Sequence, residues 1–193
     1  MWMTANPKPQ LRLAQDFASL VTDTVPKQNV MPFVDAFWRT MARQWAGIDS
    51  QRMDKYLRLM RLMLRATLQC LGQNKFEKSM LEENNEIVRR TPLNIDDVKI
   101  PNGMRYHVLD IFIDELEVVK DSEGNGMTAE VIEELLQPVD EIRNGSEDKP
   151  VRTRAGDALS DERLSEFGVH IQTQNNAAGD KEDEDDEFSG FGD

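Results

Sequence analysis

Between Ser50 and Leu71 the sequence SQRMDKYLRLMRLMLRATLQCL reads as one helix with more apolar surface than a single neighbour can cover. At about 100° per residue, Met53, Tyr56, Leu57, Met60, Leu64, Leu68 and Leu71 fall within an arc of about 120°. That arc is the face by which a helix ordinarily meets a core. Leu59, Leu62 and Met63 lie outside it, so a second side is apolar too. A helix covered on two sides implies a layered helical array rather than an isolated hairpin. What stays polar is a wedge holding Arg58, Arg61 and Arg65, with Lys55 at its edge.

The flanking sequence has the same period, and strand-like alternation is nearly absent. Leu11, Leu13, Phe17, Leu20 and Val21 mark a first helix, ended near Pro26. Val30, Phe33, Val34, Phe37, Trp38, Met41 and Trp45 mark a second, stopped by Gly47. Trp38 and Trp45 are read as packing between helices. Asp49 or Ser50 caps the quoted helix, which stops at Gly72. A fourth helix runs from Lys75 to Arg90 and ends before Thr91-Pro92. The connector TPLNIDDVKIPNG leads to a fifth with Met104, Val108, Ile111, Phe112, Leu116 and Val119. Thr128 caps a sixth, in which Pro138 is expected to produce a kink or an early end. Residues 1–145 therefore form the helical domain, and 146–193 a polar linker, a short helix capped by Ser160, and an acidic tail. That tail has too little apolar surface to offset its ordering entropy and is expected to be disordered.

Charge follows the same division. The net charge is −13, yet residues 1–120 hold 17 basic and 15 acidic residues, whereas 121–193 hold 6 and 21. Between Arg39 and Arg65 there are seven basic residues and two acidic ones, Asp49 and Asp54. The arginine wedge thus has two readings: a face of solvated or locally paired charge, or a strip contacting phosphates or an acidic partner. Arginines at i, i+3 and i+7 share a face, and their planar forks suit either phosphate or carboxylate.

The stretch FWRTMARQWAGIDSQRMDKYLRLMRLMLR resembles the signature of the nucleolar ribosomal RNA-processing protein 1 family, W-x-G-I-D-x-x-R-x-D-K followed by a Leu/Met/Arg helix. Here the signature reads Trp45, Gly47, Ile48, Asp49, Arg52, Asp54 and Lys55. A second block, PNGMRYHVLDIFIDELEVV, opens with Pro101, Asn102 and Gly103 and resembles the family's P-N-G and D-I-F-L-D-E-L helix. The resemblance covers about residues 1–145. MWMTANPKP resembles an interior family segment, which implies that the chain lacks the family's N-terminal helical sequence.

What the resemblance implies is an all-α, HEAT/armadillo-like antiparallel array acting as a non-catalytic assembly factor in the nucleus and nucleolus. The implied partners are precursor ribosomal particles, pre-rRNA, and assembly factors with Brix domains and β-propellers. No cofactor, membrane or small-molecule substrate is expected. The alternative is a general α-solenoid adaptor for peptides or cargo, with no ribosomal role.

Other motifs give little chemistry. DSEGNGMTAEVIEE places Asp121, Glu123, Asn125 and Gly126 as in a calcium loop, but Ile132 stands where a bidentate glutamate is needed. Cys70, the only cysteine, falls in an apolar helical pattern and reads as a core residue. With His107 and His170 as the only histidines, no metal set or nucleophilic pair is apparent. The reading is not an enzyme. Phe188 and Phe191, set among acids, read either as part of a solubilising tail or as a short motif for a basic partner.

Overall fold

The computed structural model describes residues 7–123 and 126–170. The acidic tail with Phe188 and Phe191, and the N-terminal MWMTAN, lie outside the described residues. Among the described residues there is no strand. The helices are α1 (Pro7–Ser19), α2 (Lys27–Gln44), α3 (Ser50–Gln73), α4 (Lys78–Arg90), α5 (Asn102–Glu123), α6 (Ala129–Gly145), α7 (Lys149–Leu159) and the short α8 (Glu162–Glu166). A π-helical turn, Leu20–Thr24, prolongs α1, and a 3-10 turn, Trp45–Gly47, follows α2.

Next-but-one helices lie side by side. α1 packs on α3, α3 on α5 and α5 on α7, while α2 packs on α4 and α4 on α6. Helices α1, α3, α5 and α7 therefore form one layer and α2, α4 and α6 the other, with α7 also closing onto α6. This is the expected HEAT/armadillo-like array, and it explains why α3 is apolar on two sides. α3 has α1 and α5 as lateral neighbours, and Leu59 and Met63 are buried along with Met60, Leu64, Leu68 and Leu71. α5, between α3 and α7, is buried further round: Val108, Leu109, Ile111, Phe112, Ile113, Leu116 and Val119 are all inside.

Three boundaries differ from the sequence reading. α4 begins at Lys78 because Lys75 and Phe76 take positive φ values of 56° and 50°, a left-handed turn that reverses the chain. The polar stretch after Ile142 contains α7: Asp148 caps it by accepting from the Val151 N–H at 2.9 Å, and Val151, Ala155 and Leu159 make one narrow buried stripe. Asp161 rather than Ser160 caps α8, with Leu164 buried and Phe167 half-buried beneath Lys120.

Pro138 neither shortens nor ends α6, which continues to Gly145. Proline has no N–H, so the Glu134 carbonyl one turn earlier loses its helical donor. The Asn85 side chain of α4 donates to that carbonyl at 2.7 Å from an almost fully buried position. The proline thereby opens an acceptor through which the even-numbered layer is stitched. Asn85→Leu removes the donor and leaves the carbonyl unpaired, so urea denaturation should show a loss of about 1–3 kcal/mol. A loss below about 0.5 kcal/mol would mean that the bond adds nothing beyond local packing.

Candidate functional site

The site builds from the turn before α3. Asp49 caps that helix, accepting from the Arg52 N–H at 3.0 Å and from Arg52 Nε at 2.5 Å. The Arg52 side chain holds the Asp49 carboxyl below its ordinary range. Trp45 lies half-buried against the start of α5. A Cβ added at Gly103 would sit 2.9 Å from Trp45 Cζ2, so the glycine is what admits the indole. Ile48 packs on the core as well. Around Gly47 a Cβ would meet nothing within 4 Å, and Asp54 is exposed; nothing in the structure explains either choice of residue.

The second sequence block is equally engaged. The Pro101 carbonyl accepts from the N–H groups of Met104 and Arg105 as α5 begins. Asn102 donates to Asp148 at 2.7 Å and accepts from Arg105 at 2.8 Å. The two blocks, about fifty residues apart, thus meet at Trp45 and Gly103.

They meet again along the arginine wedge. Arg61 Nε donates to Glu115 at 2.5 Å, and its Nη2 to Asp114 at 2.7 Å. Arg65 donates to both oxygens of Glu115, at 2.5 and 3.1 Å. The Glu115 side chain is 0% exposed, while Arg61 and Arg65 keep 38% and 32% of theirs in solvent. Arg163 continues the cluster, pairing with Asp114, Glu117 and Asp161. Its bond to Asp161, then that to Glu117, raise its pKa above the ordinary arginine value. Among the four sequence candidates, Arg58 is exposed and Lys55 half-buried, and neither has a carboxylate partner among the described residues.

The sequence reading missed Asp114 and Glu115 as partners. The signal was present: Glu115 stands between Phe112 and Val119 on a buried apolar stripe, and an acid at such a position demands a cation. Asp121 lies in the last turn of α5, Ile132 is in the core, and residues 124–125 lie outside the described residues. Cys70 is buried, and burial raises its thiol pKa. Among the described residues no group of side chains could hold a metal ion, and no helix is long and apolar enough to cross a membrane.

A family model described as nucleolar protein, Nop52, matches residues 1–191. The chain belongs to this family. Ribosomal RNA processing protein 1 homolog B of Homo sapiens is 37% identical over 119 residues, 62% of this chain and 16% of the relative. Homolog A of Mus musculus is 32% identical over 151 residues, 78% of this chain and 30% of the relative. The Drosophila melanogaster homolog is 32% identical over 140 residues, covering 72% and 20%. The chain thus matches well under half the length of these relatives.

Two outcomes follow from the Nop52-family chain's α3–α5 contact. Replacing Arg61 and Arg65 together with alanine leaves the buried Glu115 carboxyl without its partners, which should cost about 3–5 kcal/mol in urea denaturation, against less than about 0.5 for Arg58→Ala. Equal losses would refute the assignment of Arg61 and Arg65 as the structural pair. His107 Nε2 lies 2.8 Å from the Leu57 carbonyl, an acceptor, so that nitrogen carries the proton. Burial pushes the His107 pKa below 6.5, so the unfolded chain takes up a proton that the folded one resists. The stability this supplies is present above pH 6.5 and is lost as pH falls toward the folded value. The urea midpoint should fall between about pH 7.5 and 5.5, and fall less in His107→Gln.

Proposed function

We propose that this chain acts in ribosomal RNA processing as a non-catalytic scaffold within precursor ribosomal particles in the nucleolus. Membership of the Nop52 family carries the reading, together with relatives named for ribosomal RNA processing. The layered helical array supports it, because such arrays offer long rigid faces to several neighbours at once. In this role the mechanism is positional: the array holds its neighbours in register while the RNA is processed. Its partners are pre-rRNA and assembly factors of the Brix-domain and β-propeller types. No observation favours the general cargo adaptor.

Within that role the α3 contact is led by Arg58 and Lys55, the two basic side chains of α3 without a carboxylate partner among the described residues. Arg61 and Arg65 stand behind them, their forks turned to Glu115. The tagged chain, sedimented from nuclear extract with and without ribonuclease, should travel with precursor particles and lose them on digestion. Remaining at the top of the gradient under both conditions would overturn the scaffold. Lys55→Glu with Arg58→Glu should weaken association and its salt dependence while leaving the helical signal intact. Unchanged association would remove α3 from the contact.

A further inference from the structure

α1 and α2 are the first helices of their layers, and among the described residues each has a next-but-one neighbour on one side only, α3 and α4. Their other sides form an apolar face at that end of the array. On α1, Leu13, Phe17 and Leu20 fall within an arc of about 60°. Leu13 is 45% exposed, and Phe17 and Leu20 are half-buried. On α2 the matching side carries Phe33, Phe37, Thr40 and Gln44, with no charge among them. The Phe17 ring centre lies 5.6 Å from that of Phe33 and 6.1 Å from that of Phe37, so the two helices present one continuous surface. Scattered apolar side chains need no explanation, whereas a stripe continuous across two helices calls for cover.

The polar groups of α1 run in a definite order along this face. Toward the start of the stripe lie two donors. Gln10 is 7% exposed, yet its Nε2 has no acceptor among the described residues. The Arg12 side chain is 84% exposed and pairs only with Asp16 of its own helix, at 4.0 Å. Toward the end of the stripe stands Asp23, exposed in the π-helical turn and without a cation partner among the described residues. The rim is close to neutral, so it selects an order of charges rather than a net charge. What fits is an apolar helix running the opposite way, with an acid where this one has donors and donors where it has an acid. The chain's own α1 is such a helix.

We propose that this face joins two copies of the chain through an antiparallel contact of α1 with α1. A two-fold axis beside Phe17 sets Leu13 against the partner's Leu20, and brings Gln10 and Arg12 beside the partner's Asp23. Parallel pairing would instead set Arg12 on Arg12 and Asp23 on Asp23. The same axis sets α2 against α2, so both layers continue across the junction and their apolar sides leave water together. Such a contact uses the same patch on both copies and closes at two. The pair carries one α3 face on each side of the junction, and the proposal does not depend on what those faces bind.

The test is sedimentation equilibrium of the full chain from about 1 to 200 µM, with helicity followed by circular dichroism. A reversible equilibrium between one and two copies is expected. Leu13→Ser should raise the dissociation constant about tenfold with helicity unchanged. Arg12→Asp and Asp23→Arg, each alone, should raise it by about as much, because each puts like charges across the axis. An equimolar mixture of those two variants should dimerise as well as the parent, since each meets the opposite charge on the other. Single copies at every concentration would overturn the proposal and leave the face to a different protein. Growth beyond two copies, a dimer indifferent to Leu13→Ser, or a mixture that associates no better than its separate components would overturn it equally.

Discussion

Glu115 sits at the middle of α5 with no solvent exposure, and the odd-numbered layer is referenced to it. A buried carboxylate costs several kcal/mol of lost hydration and is tolerated only when its oxygens are filled. Arg61 and Arg65 fill them from α3 through three hydrogen bonds. Apolar packing between these helices is non-directional and alone would accept small slips of register. The forks do not: advancing α3 by one residue turns both arginines by about 100° away from the acid. Asp114, shared by Arg61 and Arg163, carries the same constraint on to α8.

The even-numbered layer solves the same problem with weaker chemistry. Asn85 reaches the Glu134 carbonyl freed by Pro138, and Arg89 pairs with Glu141 at 2.8 Å, both joining α4 to α6. Asp35 of α2 receives Arg90 of α4 at 3.4 Å. Each link crosses between next-but-one helices, as does Arg154 to Asp110 between α5 and α7. Repeat arrays lack a closed topology to fix their order, so neighbour-to-neighbour polar links do that work. In magnitude the pairs that reach the buried Glu115 carboxylate dominate, because surface pairs contribute at most about 1 kcal/mol each.

Helices with broad apolar faces were legible in the sequence, and so was the layering, since only neighbours on both sides explain Leu59 and Met63 beside Met60 and Leu64. α7 was not: Val151, Ala155 and Leu159 form a stripe one side chain wide inside polar sequence, and its burial comes from the groove offered by α5 and α6. The arginine wedge was visible while its partner was not. Spacing of i, i+3 and i+7 is identical whether the forks meet phosphate or carboxylate. The distinguishing feature lay about fifty residues away, in one acid among core positions. The connector was legible as a loop, but its rigidity was not, because Arg105 binds backbone carbonyls and those leave no mark in composition.

Internal pairing changes what the basic island can do. Seven basic residues against two acids between Arg39 and Arg65 suggest a strong positive field. In the folded chain, however, Arg61 and Arg65 are turned to Glu115, Arg52 to Asp49 and Arg39 to Asp35. Among the described residues, the cations of this island without a carboxylate partner reduce to Arg43 on α2 and Lys55 and Arg58 on α3. Three phosphate contacts correspond to a log–log salt slope of only about −2 to −3, far below that of proteins held mainly by nucleic acid. An RNA contact of this size orients a particle component but cannot by itself retain it. Under the proposed role this basic face alone therefore does not hold the chain in a particle, and the remainder falls to protein surfaces, whose apolar contact does not weaken as salt rises.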